Sequence, residues 1–181
     1  MKSAEEQLST YKSVHLNPKN IRTHFLGVPL IIWSIFLLLH LIPVNIFAWD
    51  DPAISINVAS AFAIGVLIYY FKLHVGLGIG LALFILPVLY SSHLVAQMQG
   101  GVWIAVGVFV LGWVFQLIGH KYEKAKPAFI DDLNQLLIGP FFLMAELYFM
   151  LGLEKELDKQ ITAMAIAKRR DLETLRRETS T

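Results

Sequence analysis

Uncharged stretches set the pattern of this chain. Between Arg22 and Asp50 lie 27 residues without Asp, Glu, Lys or Arg; another 20 lie between Asp51 and Lys72, and 48 between Lys72 and Lys121. A helix rises about 1.5 Å per residue and needs about 20 residues to cross a bilayer, so the first two runs each hold one crossing and the third holds two. The polar stretch from Ser91 to Gly101 supplies the turn that divides the third run. The pattern predicts four spans, near 23–42, 54–71, 75–93 and 101–119. The first run follows a charged head containing Lys12, Lys19 and Arg22 and carries no small-residue cleavage signature, so it is expected to remain as the first span.

The pattern changes after the fourth span. Leu133 to Leu153 is apolar and nearly long enough to cross, but Gly139-Pro140 interrupts it and Glu146 sits inside it. Proline lacks an N–H and clashes with the preceding turn, so two short helices in a re-entrant or interfacial hairpin are expected, with Asp132-Leu-Asn-Gln135 as a capping box. From Glu154 to Glu178 the chain is charged, with Leu157, Ile161, Met164, Ala165, Leu172 and Leu175 at near-helical spacing, which predicts an amphipathic helix on the cytoplasmic membrane surface. The expected architecture is an all-α integral membrane protein: one membrane domain over 1–153 and a tail helix over 154–181. Gly76-Leu-Gly-Ile-Gly80 lies within an apolar helix with no strand before it, so its glycines predict close helix packing rather than a nucleotide loop.

Composition agrees, since 56% hydrophobic and 16% charged residues are too apolar for an ordinary soluble domain. Four crossings place all 15 Lys and Arg on one side, provided residues 133–153 do not cross, and leave Asp50 and Asp51 as the charges opposite. That asymmetry predicts a cytoplasmic basic face holding both termini. No basic groove interleaved with aromatics is present, which sets nucleic acid aside. There is no cysteine, so disulfides and thiolate metal sites are excluded and His and carboxylate oxygen are the strong ligands available. A nucleophilic hydrolase is disfavoured for want of Cys or a Gly-x-Ser-x-Gly elbow.

The candidate chemistry lies in the histidines. Asn17-Pro18 is a helix entry with Asn as cap and Pro at the first position, so His24 falls in the second turn of span one and His15 just upstream. His120 closes span four with Glu123 one turn on, and a chain returning from the opposite face can bring His120 beside His24. Glu146 must find a cation, a hydrogen-bond donor or a metal, or stay protonated. Glu123, set among Lys121, Lys124 and Lys126, is open to an ordinary ion pair or to catalysis. Imidazoles plus carboxylate oxygen without sulfur suit non-haem iron(II), zinc or manganese.

Tyr11-Lys-Ser-Val-His-Leu-Asn-Pro-Lys-Asn-Ile-Arg-Thr-His24 with Gly27-Val-Pro29 resembles the opening signature of the membrane 2-hydroxy fatty acid dioxygenase family. Trp113-Val-Phe-Gln-Leu-Ile-Gly-His120, Glu123, Lys126-Pro-Ala-Phe-Ile-Asp-Asp-Leu133 and Gly139-Pro140 with Glu146 resemble its second. The resemblance covers roughly residues 8 to 153 and keeps the order of the two blocks. It implies an Fe(2+)-dependent α-oxidation in which dioxygen cleaves between the carboxyl and hydroxylated carbons, giving a fatty acid one carbon shorter. It also implies an endoplasmic-reticulum or bacterial inner-membrane setting. The family pattern often has an extra residue between the equivalents of His120 and Glu123, and some members have another histidine where Leu16 stands. On this combined reading His15, His24 and His120 hold the metal, with His93 or Glu146 as a further candidate, Glu146 and Glu123 are candidate catalytic residues, and Lys19, Arg22 or Lys121 attracts the substrate carboxylate. Membrane lipid surrounds the protein, and self-association into a homo-oligomer is compatible with this reading. The competing expectation is a non-enzymatic lipid-binding or transport protein whose histidines and Glu146 form a polar network.

Overall fold

The computed structural model describes residues 2–48, 55–123 and 132–178. Asp50, Asp51, Lys124, Lys126 and Asp131, singled out above, lie outside them. The order is α1 (Ala4–Ser13), α2 (Pro18–His40), β1 (Asn45–Ala48), β2 (Ser55–Asn57), α3 (Val58–Leu73), α4 (Val75–Ala96), α5 (Gly101–Glu123), α6 (Gln135–Met150) and α7 (Lys155–Glu178). Among the described residues the regular structure is helical apart from the short antiparallel β1–β2 pair, in which Asn45 faces Asn57 and Ala48 faces Ser55. The all-α expectation lacked this pair. Helices α2, α4 and α5 are long and apolar enough to cross a membrane; α3 and α6 are apolar but shorter.

Local chemistry explains most helix ends. Asn17 Oδ1 accepts from the Lys19 N–H at 2.9 Å and Pro18 opens α2, as the Asn-Pro pair predicts. Asn57 Oδ1 accepts from the Ser60 N–H at 2.9 Å and starts α3. His74 is extended, separates α3 from α4, and caps α4 by accepting from the Leu77 N–H at its Nδ1. The predicted turn between the third and fourth spans shrinks to Gln97–Gly100, with Gly100 at φ +80°, and Ser91 to Ala96 stay helical. The side-chain hydroxyls of Ser91 and Ser92 bond back to the carbonyls of Val88 and Leu89, so these polar residues leave the helix intact.

Contacts group the chain into two units. Within Phe25–Gln116, Gly78 packs against Phe71, whose Cδ1 lies 2.8 Å from where a Cβ would stand. That is the close α3–α4 approach predicted from the Gly76–Gly80 run. The same unit turns large apolar side chains outward, Leu83 and Trp103 being 70% and 76% exposed, as lipid contact requires.

The second unit holds the residues up to His24 and those from Leu117 onward. Here α6 runs unbroken through Gly139-Pro140, which corrects the expected pair of short helices. Pro140 is only the sixth residue of α6, so the lost N–H and the ring clash fall near the helix start. Gly139 leaves room for Tyr11, whose hydroxyl would sit 3.1 Å from an added Cβ. Asp132 does not form the expected capping box. Its carboxylate accepts instead from the Asn134 N–H and the Gln135 side-chain amide, the latter being the largest cause that holds its pKa below the ordinary value. Helix α6 ends in a Schellman turn, the Leu153 N–H bonding the Tyr148 carbonyl around Gly152 at φ +76°. The chain then reverses into α7, whose stripe of Leu157, Ile161 and Ala165 is buried, with α1 as the helix it packs on. Leu157, Ile161 and Ala165 of the α7 stripe are thus covered by protein, while Leu172 further along it is 38% exposed. Helix α1 itself escaped the hydrophobic pattern, although Ser3 caps it by accepting from the Glu6 N–H.

Candidate metal centre

Three segments of the second unit bring one histidine each. His15 follows the end of α1, His24 lies in the second turn of α2, and His120 lies in the last turn of α5. Their ring centroids are 4.7 Å (His15–His24), 5.0 Å (His15–His120) and 5.1 Å (His24–His120) apart. One nitrogen from each lies within 4.8 Å of the other two.

The hydrogen bonds fix which nitrogens are available. His15 Nδ1 is 2.7 Å from the Tyr11 carbonyl and His24 Nδ1 is 2.9 Å from the Asn20 carbonyl. A carbonyl only accepts, so both Nδ1 atoms carry the proton and both Nε2 atoms carry a lone pair. His15 Nε2, His24 Nε2 and His120 Nδ1 are buried and have no hydrogen-bond partner. Leaving a buried polar atom unpaired costs about 1–3 kcal/mol. Three such atoms at one place are explained by an electrophile that takes all three lone pairs, and an imidazole whose other nitrogen donates to a carbonyl is the usual arrangement of a metal ligand. Burial, and then the His24 imidazole, holds the His15 pKa well below the ordinary value although the Tyr11 carbonyl opposes this, so His15 is neutral near pH 7.

The neighbours of the histidines explain their placement. The Tyr11 ring stacks on His15 at 4.0 Å with 2° between planes, and Phe142 packs against both. Gly119 lets α2 and α5 approach: a Cβ there would collide with Thr23 Oγ1 and Asn20 Oδ1 and stand 3.2 Å from His24 Nδ1. Tyr11 and Asn20 each precede a histidine by four residues, one helical turn, which is the signal in the sequence that could have marked them.

The carboxylates do not join this group. Glu123 Oε2 accepts from the Asn17 N–H at 2.8 Å and from Asn20 Nδ2 at 3.2 Å, while Oε1 is 3.5 Å from Arg169 Nη1. Glu146 Oε1 pairs with Lys12 Nζ at 2.7 Å, and Asp158 reaches the same ammonium at 3.2 Å. Of the fates open to Glu146, pairing with a cation is the one observed. His93 belongs to the other unit, where its ring is 5.1 Å from that of His40 and its Nε2 is 2.9 Å from Gln97 Nε2. Lys19, Arg22 and Lys121 are exposed, with Lys19 Nζ 5.5 Å from the centre of the Tyr122 ring. Among the described residues the metal-capable group is therefore His15, His24 and His120 alone.

A family model described as 2-hydroxy-palmitic acid dioxygenase Mpo1-like matches residues 1–151. The chain belongs to this family. Among its relatives is 2-hydroxy-palmitic acid dioxygenase MPO1 of Saccharomyces cerevisiae, 34% identical over 170 residues that cover 92% of this chain and 91% of the yeast protein. No solved structure matches. The matched region of this Mpo1-like chain includes all three histidines, and a donor set of three imidazoles fits a first-row transition metal with coordination positions left over.

Proposed function

We propose that this protein is a membrane-embedded dioxygenase that shortens 2-hydroxy fatty acids by one carbon, with Fe(2+) held by His15, His24 and His120. The observation that carries the proposal is the set of three buried, unpartnered ring nitrogens in a chain of this family. A bound ferrous ion would activate ground-state dioxygen and lend Lewis acidity toward the substrate's oxygens, while the electrons that reduce dioxygen come from the 2-hydroxy acid. The protein's own share is to hold three neutral imidazoles in one orientation. Tyr11 and Asn20 do this through their carbonyls, which keep the protons of His15 and His24 on Nδ1. Glu123 acts as a positioning group, since both its oxygens already face donors, and Glu146 neutralises Lys12. The exposed cations Lys19, Arg22 and Lys121 draw the carboxylate toward the site from solution or from the lipid surface. His93 is left out of the ligand set.

The same contact bears on the topology. His24 near the start of α2 lies beside His120 at the end of α5, so the chain begins and ends this stretch on one side of the bilayer and crosses it an even number of times. Helices α2, α4 and α5 are long enough to cross, which supports α3 as the fourth span despite its 16 residues. All 15 cations then share the cytoplasmic side. The absence of cysteine makes this directly measurable. Single-cysteine variants Lys2→Cys and Lys72→Cys are expected to react with an impermeant maleimide from the same side, and Gln99→Cys from the other. Labelling of positions 2 and 72 from opposite sides rules out the four-span arrangement.

The activity is tested by anaerobic purification, metal analysis and turnover of 2-hydroxypalmitate with oxygen. About one iron per chain is expected, with turnover lost on chelation and recovered on adding iron(II). Turnover by fully chelated protein, or none by protein loaded with iron, sinks the assignment.

A further inference from the structure

We infer that the C-terminal helix α7 is a working part of the metal centre, with Arg169 acting through Glu123 to position the three histidines. The inference rests on the metal reading above and adds to it a residue beyond 151, where the family match ends.

Glu123 touches every histidine-bearing segment. It lies one helical turn after His120, accepts from the backbone N–H of Asn17 two residues after His15, and accepts from the side chain of Asn20, whose carbonyl orients His24. Its side chain is only 3% exposed. A carboxylate so buried needs a facing cation and full hydrogen bonding to stay ionised and in place. Arg169 faces it: Nη1 lies 3.5 Å from Glu123 Oε1 and also donates to the Ser13 carbonyl at 3.3 Å, two residues before His15. Glu173, one turn along α7, steadies the guanidinium by accepting from Nε at 2.9 Å. Arg169 thus bridges the segment that carries His15 and the carboxylate that ties down the segments of His24 and His120.

The preceding residue provides an internal contrast. Lys168 also docks α7 on α1, with Nζ bonded to the Glu6 carbonyl, Ser9 Oγ and Thr10 Oγ1, but these partners lie further from the histidines and none is Glu123. If α7 merely shields α1, losing either residue has the same consequence. If Arg169 positions the ligands, the two differ.

The test is Co(II) titration of the full-length, metal-free protein in detergent, followed by visible absorption, with thermal unfolding measured alongside. Arg169→Ala is expected to weaken Co(II) binding at least about tenfold, the scale of losing an outer-sphere partner of a metal ligand. Arg169→Lys keeps the charge and is expected to recover part of that loss, while Lys168→Ala lowers the unfolding temperature and leaves Co(II) affinity in place. Should Arg169→Ala not fold, Arg169→Gln is held to the same criteria. Unchanged affinity in the Arg169 variant, or equal weakening by the Arg169 and Lys168 variants, overturns the inference and leaves the metal reading standing. Failure of the wild type to bind Co(II) overturns both.

Discussion

His24→Ala is expected to lower turnover of 2-hydroxypalmitate by more than about a thousandfold, because on the proposed assignment one of three metal ligands is lost and the metal's contribution to catalysis goes with it. The effect on the metal-free fold is much smaller. His24 is almost fully buried, so truncation leaves a cavity, but it also removes a buried nitrogen that had no partner. The two changes oppose each other, and the metal-free unfolding temperature is expected to shift by only a few degrees. What disappears is stabilisation by metal. A ligand at a hundred times its Kd stabilises the folded state by about 2.7 kcal/mol, and His24→Ala is expected to show almost none of that increase when Co(II) or Fe(II) is added. His93→Ala, at a residue placed beside His40 and Gln97, is expected to retain it. Retention of both turnover and metal-dependent stabilisation by His24→Ala would falsify the ligand assignment.

Gly119→Ala is expected to have the second-largest effect, from a single added methyl group. The new carbon meets Thr23 Oγ1, Asn20 Oδ1 and His24 Nδ1, and none of these can retreat freely. Asn20 is held through its amide by Glu123, Thr23 through its hydroxyl by the Asn20 carbonyl, and His24 by that same carbonyl. The helices must separate or the His24 ring must tilt. Overpacking of this kind costs about 1–3 kcal/mol, and the displaced imidazole is expected to weaken Co(II) binding at least about tenfold. Gly107 in the same helix is the control, since nothing lies within 4 Å of its added Cβ. There alanine replaces a helical glycine in open space and is expected to raise stability by about 0.5–1 kcal/mol. Unfolding temperatures and Co(II) affinities measured on both variants in one detergent decide the matter. Equal behaviour of the two variants means that the close approach at Gly119 is not what seats His24.

Much of the site was legible before any coordinates, and for a physical reason. His24 and His120 stand at the margins of long uncharged runs, where an imidazole is neither freely solvated nor easily tolerated in lipid, and His15 lies just upstream of the α2 entry. The Asn17-Pro18 helix entry fixed the phase of α2, so the turn that carries His24 followed from local chemistry alone. Glu146 was ambiguous because a carboxylate in an apolar run requires a partner without indicating which, and Lys12 lies 134 positions away in the chain. The break expected at Gly139-Pro140 failed because Pro140 lies close to the start of α6, a start that the apolar run from Leu133 onward did not mark. The α7 stripe was visible as a stripe, but an amphipathic pattern does not say whether lipid or a neighbouring helix covers it.

The sequence by itself determined where the four apolar helices α2 to α5 lie, the absence of sulfur ligands, and which histidines stand near the helix ends. These follow from transfer free energies and helix geometry, which act residue by residue along the chain. Only the tertiary structure decided that three of six histidines share one point, that Glu123 and Glu146 face cations instead of joining them, and that Arg169 reaches Glu123 from α7. Such pairings depend on which distant segments are packed together, and a buried charge or lone pair constrains its partner's chemistry while leaving its place in the chain open.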